Sequence, residues 1–142
     1  MVTLKNSMNQ KLGYLYSIGM AIYFLISGIS VLFDIPGKLN RIDLHAINSD
    51  GEIAFVLIYT GLMVGIGIAN LTLQYFSKSW VYSAMLSTVI IASFIVFRLV
   101  GSLMVGILSS TQIGFLVFEI VEVSAGVLLL RYQHKRNPTT FS

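Results

Sequence analysis

Four ionisable residues lie within or at the edge of long apolar stretches: Glu52, Arg98, Glu119 and Glu122. A charge at the centre of a bilayer costs about 2.5–3.5 kcal/mol on insertion scales, so such residues usually pair with one another or serve a function. Carboxyl groups in an apolar site can transfer protons, and arginine can bind a carboxylate through two parallel hydrogen bonds. The sequence therefore predicts a buried polar cluster of these four residues, which either carries chemistry or fixes the helix arrangement.

The arginine in "SFIVFRLVG" needs an acidic partner, and the segment "FEIVEV" offers two. Glu119 and Glu122 are three residues apart, so they project from neighbouring parts of one helix surface. Two adjacent carboxylates in a low dielectric do not both stay ionised without a cation. We predict that Arg98 pairs with Glu119, with Glu52 close by, and that Glu122 is protonated or hydrogen-bonded to a tyrosine. Glu122 stays open as the alternative partner of Arg98.

The composition excludes an ordinary soluble domain. Of the 142 residues, 56% are hydrophobic and 11% are charged, and the mean hydropathy is +0.83; soluble domains average about 25% charged residues. The chain has no cysteine, which excludes disulfides and thiolate chemistry within it. Its net charge of +3 resides in basic residues that flank apolar segments, as in membrane proteins, so we expect no nucleic acid partner.

Four stretches are long enough to cross about 30 Å of hydrocarbon, which takes about 20 apolar residues. They cover approximately residues 13–33, 52–73, 80–101 and 112–130. We predict an all-α integral membrane protein, an antiparallel four-helix bundle that forms one domain over residues 1–142. The first stretch exceeds the 7–15 residues of a signal-peptide core, so we expect it to be an uncleaved first span. Residues 102–111 form either an interfacial, partly re-entrant turn or a helical extension of the third span.

The basic residues near the span ends predict the orientation. The side that carries both termini has six basic residues and no acidic one: Lys5, Lys11, Lys78, Arg131, Lys135 and Arg136. The opposite side mixes both signs of charge. Because cytoplasmic loops are enriched in lysine and arginine, both termini are expected to be cytoplasmic.

Weaker polar signals lie within the first two spans. Tyr59, Met63 and Asn70 continue the face of Glu52 at helical spacing, and Tyr23 lies in a sparse polar stripe on the first span. These residues can line an inner pocket, or they can satisfy one another and merely fix the helices.

The second span also contains a G-x-x-x-G motif, formed by Gly61 and Gly65. Lipid gives helices no hydrophobic drive to associate, so small residues commonly mark close helix contacts. We interpret the motif as close packing inside the bundle, with dimerisation as the alternative.

The segments "GEIAF", "RLVGSL" and "FEIVEV" give the chain a resemblance to a family of small four-span bacterial membrane proteins catalogued as domain of unknown function 4345. The resemblance covers roughly residues 13–130. It implies a four-span fold in the bacterial inner membrane and no established activity. Glu52, Arg98 and Glu119 would occupy the polar positions of the family, with Glu122 as the alternative for the last.

Three functions stay open. The chain is an accessory subunit or a bundle that binds a lipid-like molecule, a lipid-phase enzyme such as an isomerase or a quinone-linked subunit, or a proton-coupled transporter of small solutes. No catalytic residue is assigned, and neither a cofactor nor a metal site is predicted. The expected partners are the lipid bilayer, a lipid-like small molecule, and a membrane protein or a second copy of the chain.

Overall fold

Four long helices make up most of the described part of the protein, and each is long and apolar enough to cross a membrane. The structure, a computed structural model, describes residues 2–107 and 109–136; the side chains of Lys5 and Arg136, which enter the orientation prediction, lie outside its description. The four spans are Met8–Phe33, Ser49–Ser77, Trp80–Val105 and Ser110–Lys135. The described residues include no strand, so the prediction of an all-α multi-pass membrane bundle is confirmed.

The helices are numbered in chain order. They are α1 (Val2–Ile29), α2 (Ile35–Arg41), α3 (Ser49–Phe55), α4 (Gly61–Ser77), α5 (Trp80–Val105) and α6 (Ser110–Arg136). A 3₁₀ turn, Ser30–Phe33, ends the first span, and a π-helical turn, Val56–Thr60, joins α3 to α4 within the second span. The short helix α2 lies in the loop between the first two spans.

Short polar side chains begin several of these helices. Asp34 accepts a hydrogen bond from the Gly37 amide at 2.9 Å at the start of α2, and Asn48 accepts one from the Gly51 amide at 2.9 Å at the start of α3. Such caps satisfy backbone N–H groups that have no partner within the helix. The cap at Asn48 explains why the second span begins before the predicted residue 52.

The helix α5 ends at Gly106, whose φ of +77° is a left-handed conformation that glycine adopts without steric cost. Its amide donates to the Ser102 carbonyl at 2.8 Å and closes the last turn. Of the open segment 102–111, residues 102–105 are therefore a helical extension of the third span, and residues 106, 107 and 109 are not helical. Residue 108 lies outside the described residues, and α6 begins at Ser110.

The spans pack in sequence, α1 mainly against α4 and α5 mainly against α6, while α1 and α5 also meet across the centre. Met20, Phe24, Met63 and Ile91 form the middle of the core. A second cluster around Trp80 lies near the bundle end with both termini, here called the terminal side; the opposite end is the loop side. In contrast, α1 and α6 contact each other sparsely, and this leaves a furrow between them.

Close packing of α1 with α4 uses glycines other than those of the predicted motif. A Cβ atom on Gly67 would lie 2.6 Å from Leu25 Cγ and 3.0 Å from the Ala21 carbonyl oxygen, whereas one on Gly61 or Gly65 would meet nothing within 4 Å. The interpretation of G-x-x-x-G as internal packing is therefore wrong. Gly67 shares a helix face with the core residues, and the two motif glycines point outward.

Candidate functional site

The most polar contact inside the bundle joins the third and fourth spans. Arg98 Nε donates to Glu119 Oε2 at 3.0 Å, and Arg98 Nη2 donates to Glu119 Oε1 at 2.5 Å. A third nitrogen, Nη1, donates to the Gln112 side-chain oxygen. The two charged side chains are 19% and 8% exposed. The arginine therefore forms a buried, two-pronged ion pair and uses its remaining terminal nitrogen on a neutral amide.

The helical hairpin of α5 and α6 brings these residues to one level. Arg98 lies seven residues before the end of α5 and Glu119 nine residues after the start of α6, which places them about 10 and 13 Å from the loop-side helix ends. Gln112 and Phe115 precede Glu119 on the same face of α6. The guanidinium carbon lies 5.3 Å from the centre of the Phe115 ring, so α6 surrounds the cation with an acid, an amide and an aromatic face.

The structure does not bring Glu52 to this pair. Glu52 lies in the first turn of α3 and lines a small cavity of about 140 Å³ with residues of α2 and the loop after it. In the described part of the chain, no hydrogen bond or ion pair joins Glu52 to Arg98. Because α2 folds over the start of the second span, the Glu52 side chain meets the loop instead of α5.

Glu122 lies one helical turn beyond Glu119 towards the terminal side. The Tyr16 hydroxyl donates to the backbone carbonyl of Glu122 at 3.2 Å and lies 3.3 Å from Thr88 Oγ1. The tyrosine thus bonds to the backbone of Glu122, and the carboxyl group receives no hydrogen bond from any described residue. One of its oxygens, Oε2, is buried without a partner.

Glu122 also forms part of the wall of a groove between α1 and α6. The groove has a volume of about 690 Å³, and its walls are almost entirely apolar, with Leu15 and Val121 on opposite sides. Among the described residues, three side chains with polar atoms line it: Tyr16, Tyr23 and Glu122. This furrow, here called the α1–α6 groove, exists because α1 packs on α4 and α6 packs on α5, so little holds α1 and α6 together.

Of the residues predicted to line a pocket, Tyr23 lines the α1–α6 groove and the others turn into the bundle. The Tyr59 hydroxyl lies 3.0 Å from Ser27 Oγ, and Met63 is buried in the core. Asn70 is fully buried between the second and third spans, where its side-chain oxygen accepts hydrogen bonds from two serines. These three residues therefore satisfy neighbours within the bundle, which was the structural alternative.

Sequence reasoning missed two contributors to these sites. Gln112 could have been found from its spacing, since it precedes Glu119 by two helical turns and shares its face. Gly19 is the second: it lines the α1–α6 groove, and a Cβ atom there would meet nothing within 4 Å. No signal in the sequence distinguishes this glycine, because the groove depends on which helices contact one another.

No known protein family, curated protein or solved structure matches the chain. Within residues 2–107 and 109–136, no group of three or more histidine and acidic side chains is placed to bind a metal ion.

Proposed function

We propose that this chain is a multi-pass protein of the bacterial inner membrane, with both termini cytoplasmic, that binds a lipid-like molecule in the α1–α6 groove. The resemblance to the four-span bacterial family and the distribution of basic residues support the location. The groove itself supports the activity. The Arg98–Glu119 pair has a structural role in this proposal, because its hydrogen bonds lock α5 to α6.

The size and lining of the groove fit a small apolar ligand. Small-molecule sites commonly have volumes of about 300–1,000 Å³ and combine apolar walls with a few polar groups that orient the ligand. The groove has about 690 Å³ and three side chains with polar atoms. Its rim residues Leu15 and Val121 are 69% and 61% exposed, so the groove opens sideways towards the hydrocarbon of the bilayer. A ligand can enter directly from the membrane.

The carboxyl group on the wall distinguishes this groove from a furrow that simply holds lipid tails. An ordinary lipid-facing furrow needs only apolar side chains, and a carboxyl group there is costly without a partner. The groove places Glu122 beside its apolar lining, and the carboxyl lacks a hydrogen-bond donor within the described chain. This single observation carries the proposal, because a bound molecule would supply the missing donor.

The test is native mass spectrometry of the protein extracted in a gentle detergent. Position 19 lines the groove and has open space for a Cβ atom, so we use phenylalanine there to obstruct the groove. Gly65→Phe is the matched control, because position 65 is equally open but lies on α4, outside the groove. We expect a reproducible small adduct on the wild type and on Gly65→Phe, and its loss from Gly19→Phe. An adduct that survives unchanged in Gly19→Phe contradicts the proposal.

A further inference from the structure

We infer that the α1–α6 groove selects an amphipathic amine, a molecule with an apolar chain and one protonated amino group, which binds the carboxylate of Glu122. The inference rests on the proposed function, since it names the chemical class of the ligand that the groove holds. It goes beyond that function because charge, and not only apolar fit, decides which molecule binds.

Among the described residues, Glu122 has no positively charged partner. Arg98 donates hydrogen bonds from Nε and Nη2 to Glu119 and from Nη1 to Gln112. Its guanidinium therefore binds Glu119, one helical turn from Glu122, and not Glu122 itself. From α1, the groups that border the groove beside Glu122 are the hydroxyls of Tyr16 and Tyr23, which are neutral. A carboxylate in an apolar medium needs a cation and hydrogen-bond donors, and a protonated amine supplies both.

The aromatic side chains of α1 suit a cation as well. Tyr16 and Tyr23 both line the groove on the side opposite Glu122, and the faces of aromatic rings attract ammonium groups. The Tyr16 hydroxyl is occupied by Thr88 and by the Glu122 carbonyl. The Tyr23 hydroxyl forms no hydrogen bond with any described residue, so it is available to accept one from the amine.

The groove also sets the direction of the apolar chain. The Tyr23 ring lies 5.9 Å from the Phe118 ring, centre to centre, and this contact bridges α1 and α6 on the loop side of Glu122. On the terminal side the groove continues to Leu12 and Leu129. Leu129 comes seven positions after Glu122 on α6, which gives about 10 Å of apolar wall. The amine therefore lies at Glu122 and its chain extends towards the terminal side.

Other amphipathic molecules fit this arrangement less well. A fatty acid would bring a second carboxyl group next to Glu122, and like charges in a low dielectric repel. A long-chain alcohol can donate one hydrogen bond but adds no charge. A phospholipid head group would bring a negatively charged phosphate next to Glu122, which is about 18 Å from the start of α6 at Ser110 and lies near the middle of the span. The expected order of affinity is amine, then alcohol, then acid.

The experiment measures binding of radiolabelled dodecylamine to the full-length protein in phosphatidylcholine nanodiscs, with unlabelled dodecanol and dodecanoate as competitors. Glu122→Gln keeps the shape of the side chain and removes its charge, and Asp50→Asn is the control, because Asp50 is an exposed acid in the first turn of α3. Charge-assisted hydrogen bonds are stronger than neutral ones, so we expect Glu122→Gln to weaken dodecylamine binding by about tenfold or more. Asp50→Asn should leave it unchanged.

The outcomes separate this inference from the proposed function. If dodecanol and dodecylamine compete equally and Glu122→Gln binds as the wild type does, selection by charge is wrong while binding in the groove stands. If no member of the series binds the wild type better than Gly19→Phe, the proposed function fails and the inference fails with it. If dodecylamine alone loses affinity in Glu122→Gln, the inference is supported.

Discussion

Replacing Arg98 with leucine leaves the carboxylate of Glu119 buried without its cation. The single change removes two hydrogen bonds to Glu119, one to Gln112 and the contact with the Phe115 ring. Both charged side chains are mostly buried, so the behaviour of buried ion pairs applies rather than that of exposed ones. Removing one partner of a buried pair typically costs 3–5 kcal/mol, chiefly because the remaining charge is uncompensated. We expect Arg98→Leu to lower the free energy of unfolding by about 3 kcal/mol.

The double variant Arg98→Leu with Glu119→Leu should be more stable than Arg98→Leu alone. Gln112 loses its partner in both proteins, so that loss cancels in the comparison. The hydrogen bonds themselves contribute little, since interhelical side-chain bonds in membranes average about 0.6 kcal/mol. The double variant is therefore expected to lose about 1 kcal/mol relative to the wild type, because no buried charge is left uncompensated.

Unfolding in mixed detergent micelles, followed by far-ultraviolet circular dichroism, measures the free energy of unfolding of four proteins. They are the wild type, Arg98→Leu, Glu119→Leu and the double variant. Arg98→Lys serves as the control, because lysine keeps the charge but cannot form the two-pronged contact. Its stability should lie between that of the wild type and that of Arg98→Leu. If the losses of the two single variants simply add up in the double variant, the ion pair contributes no coupling and the structural role given to it is wrong.

Two further predictions concern the packing of the second span. Gly67→Val should destabilise the protein by about 1–3 kcal/mol, because the added atoms meet Leu25 and the α1 backbone. Gly65→Val should not destabilise it, because position 65 is open. Equal melting temperatures for the two variants in detergent would contradict the assigned helix faces. Asn70→Ala should lower the free energy of unfolding by about 1 kcal/mol, since Ser83 and Ser87 each lose the oxygen to which they donate at 3.0 Å. A stability equal to that of the wild type in the same melts would show that the serines find other acceptors.

Hydropathy alone predicts the four spans, because crossing the hydrocarbon demands long uninterrupted apolar helices. The boundaries are harder, since helices continue beyond the hydrocarbon until a cap ends them. The third span, predicted to reach residue 101, runs to Val105 because Gly106 supplies the left-handed residue that ends it. The second span begins at Ser49 because Asn48 caps it.

The contact of Arg98 with Glu119 could be anticipated by counting residues along two antiparallel helices joined by a short connection. The position of Glu52 could not, because it depends on how α2 folds back over the second span, and hydropathy carries no information about a short loop helix. The α1–α6 groove could not be predicted from the sequence either. It results from unequal packing between helices, which the apolar pattern of each helix does not reveal.

The most direct test of binding in the groove is photocrosslinking within intact membranes. A photoactivatable phenylalanine analogue at position 19 projects into the α1–α6 groove, and the same residue at position 65 faces the bilayer from α4. Mass spectrometry of the crosslinked protein then identifies what each position contacts. We predict that one small amphipathic molecule dominates at position 19 and that the bulk phospholipids of the membrane dominate at position 65. The same distribution of phospholipids at both positions would contradict a ligand site in the groove.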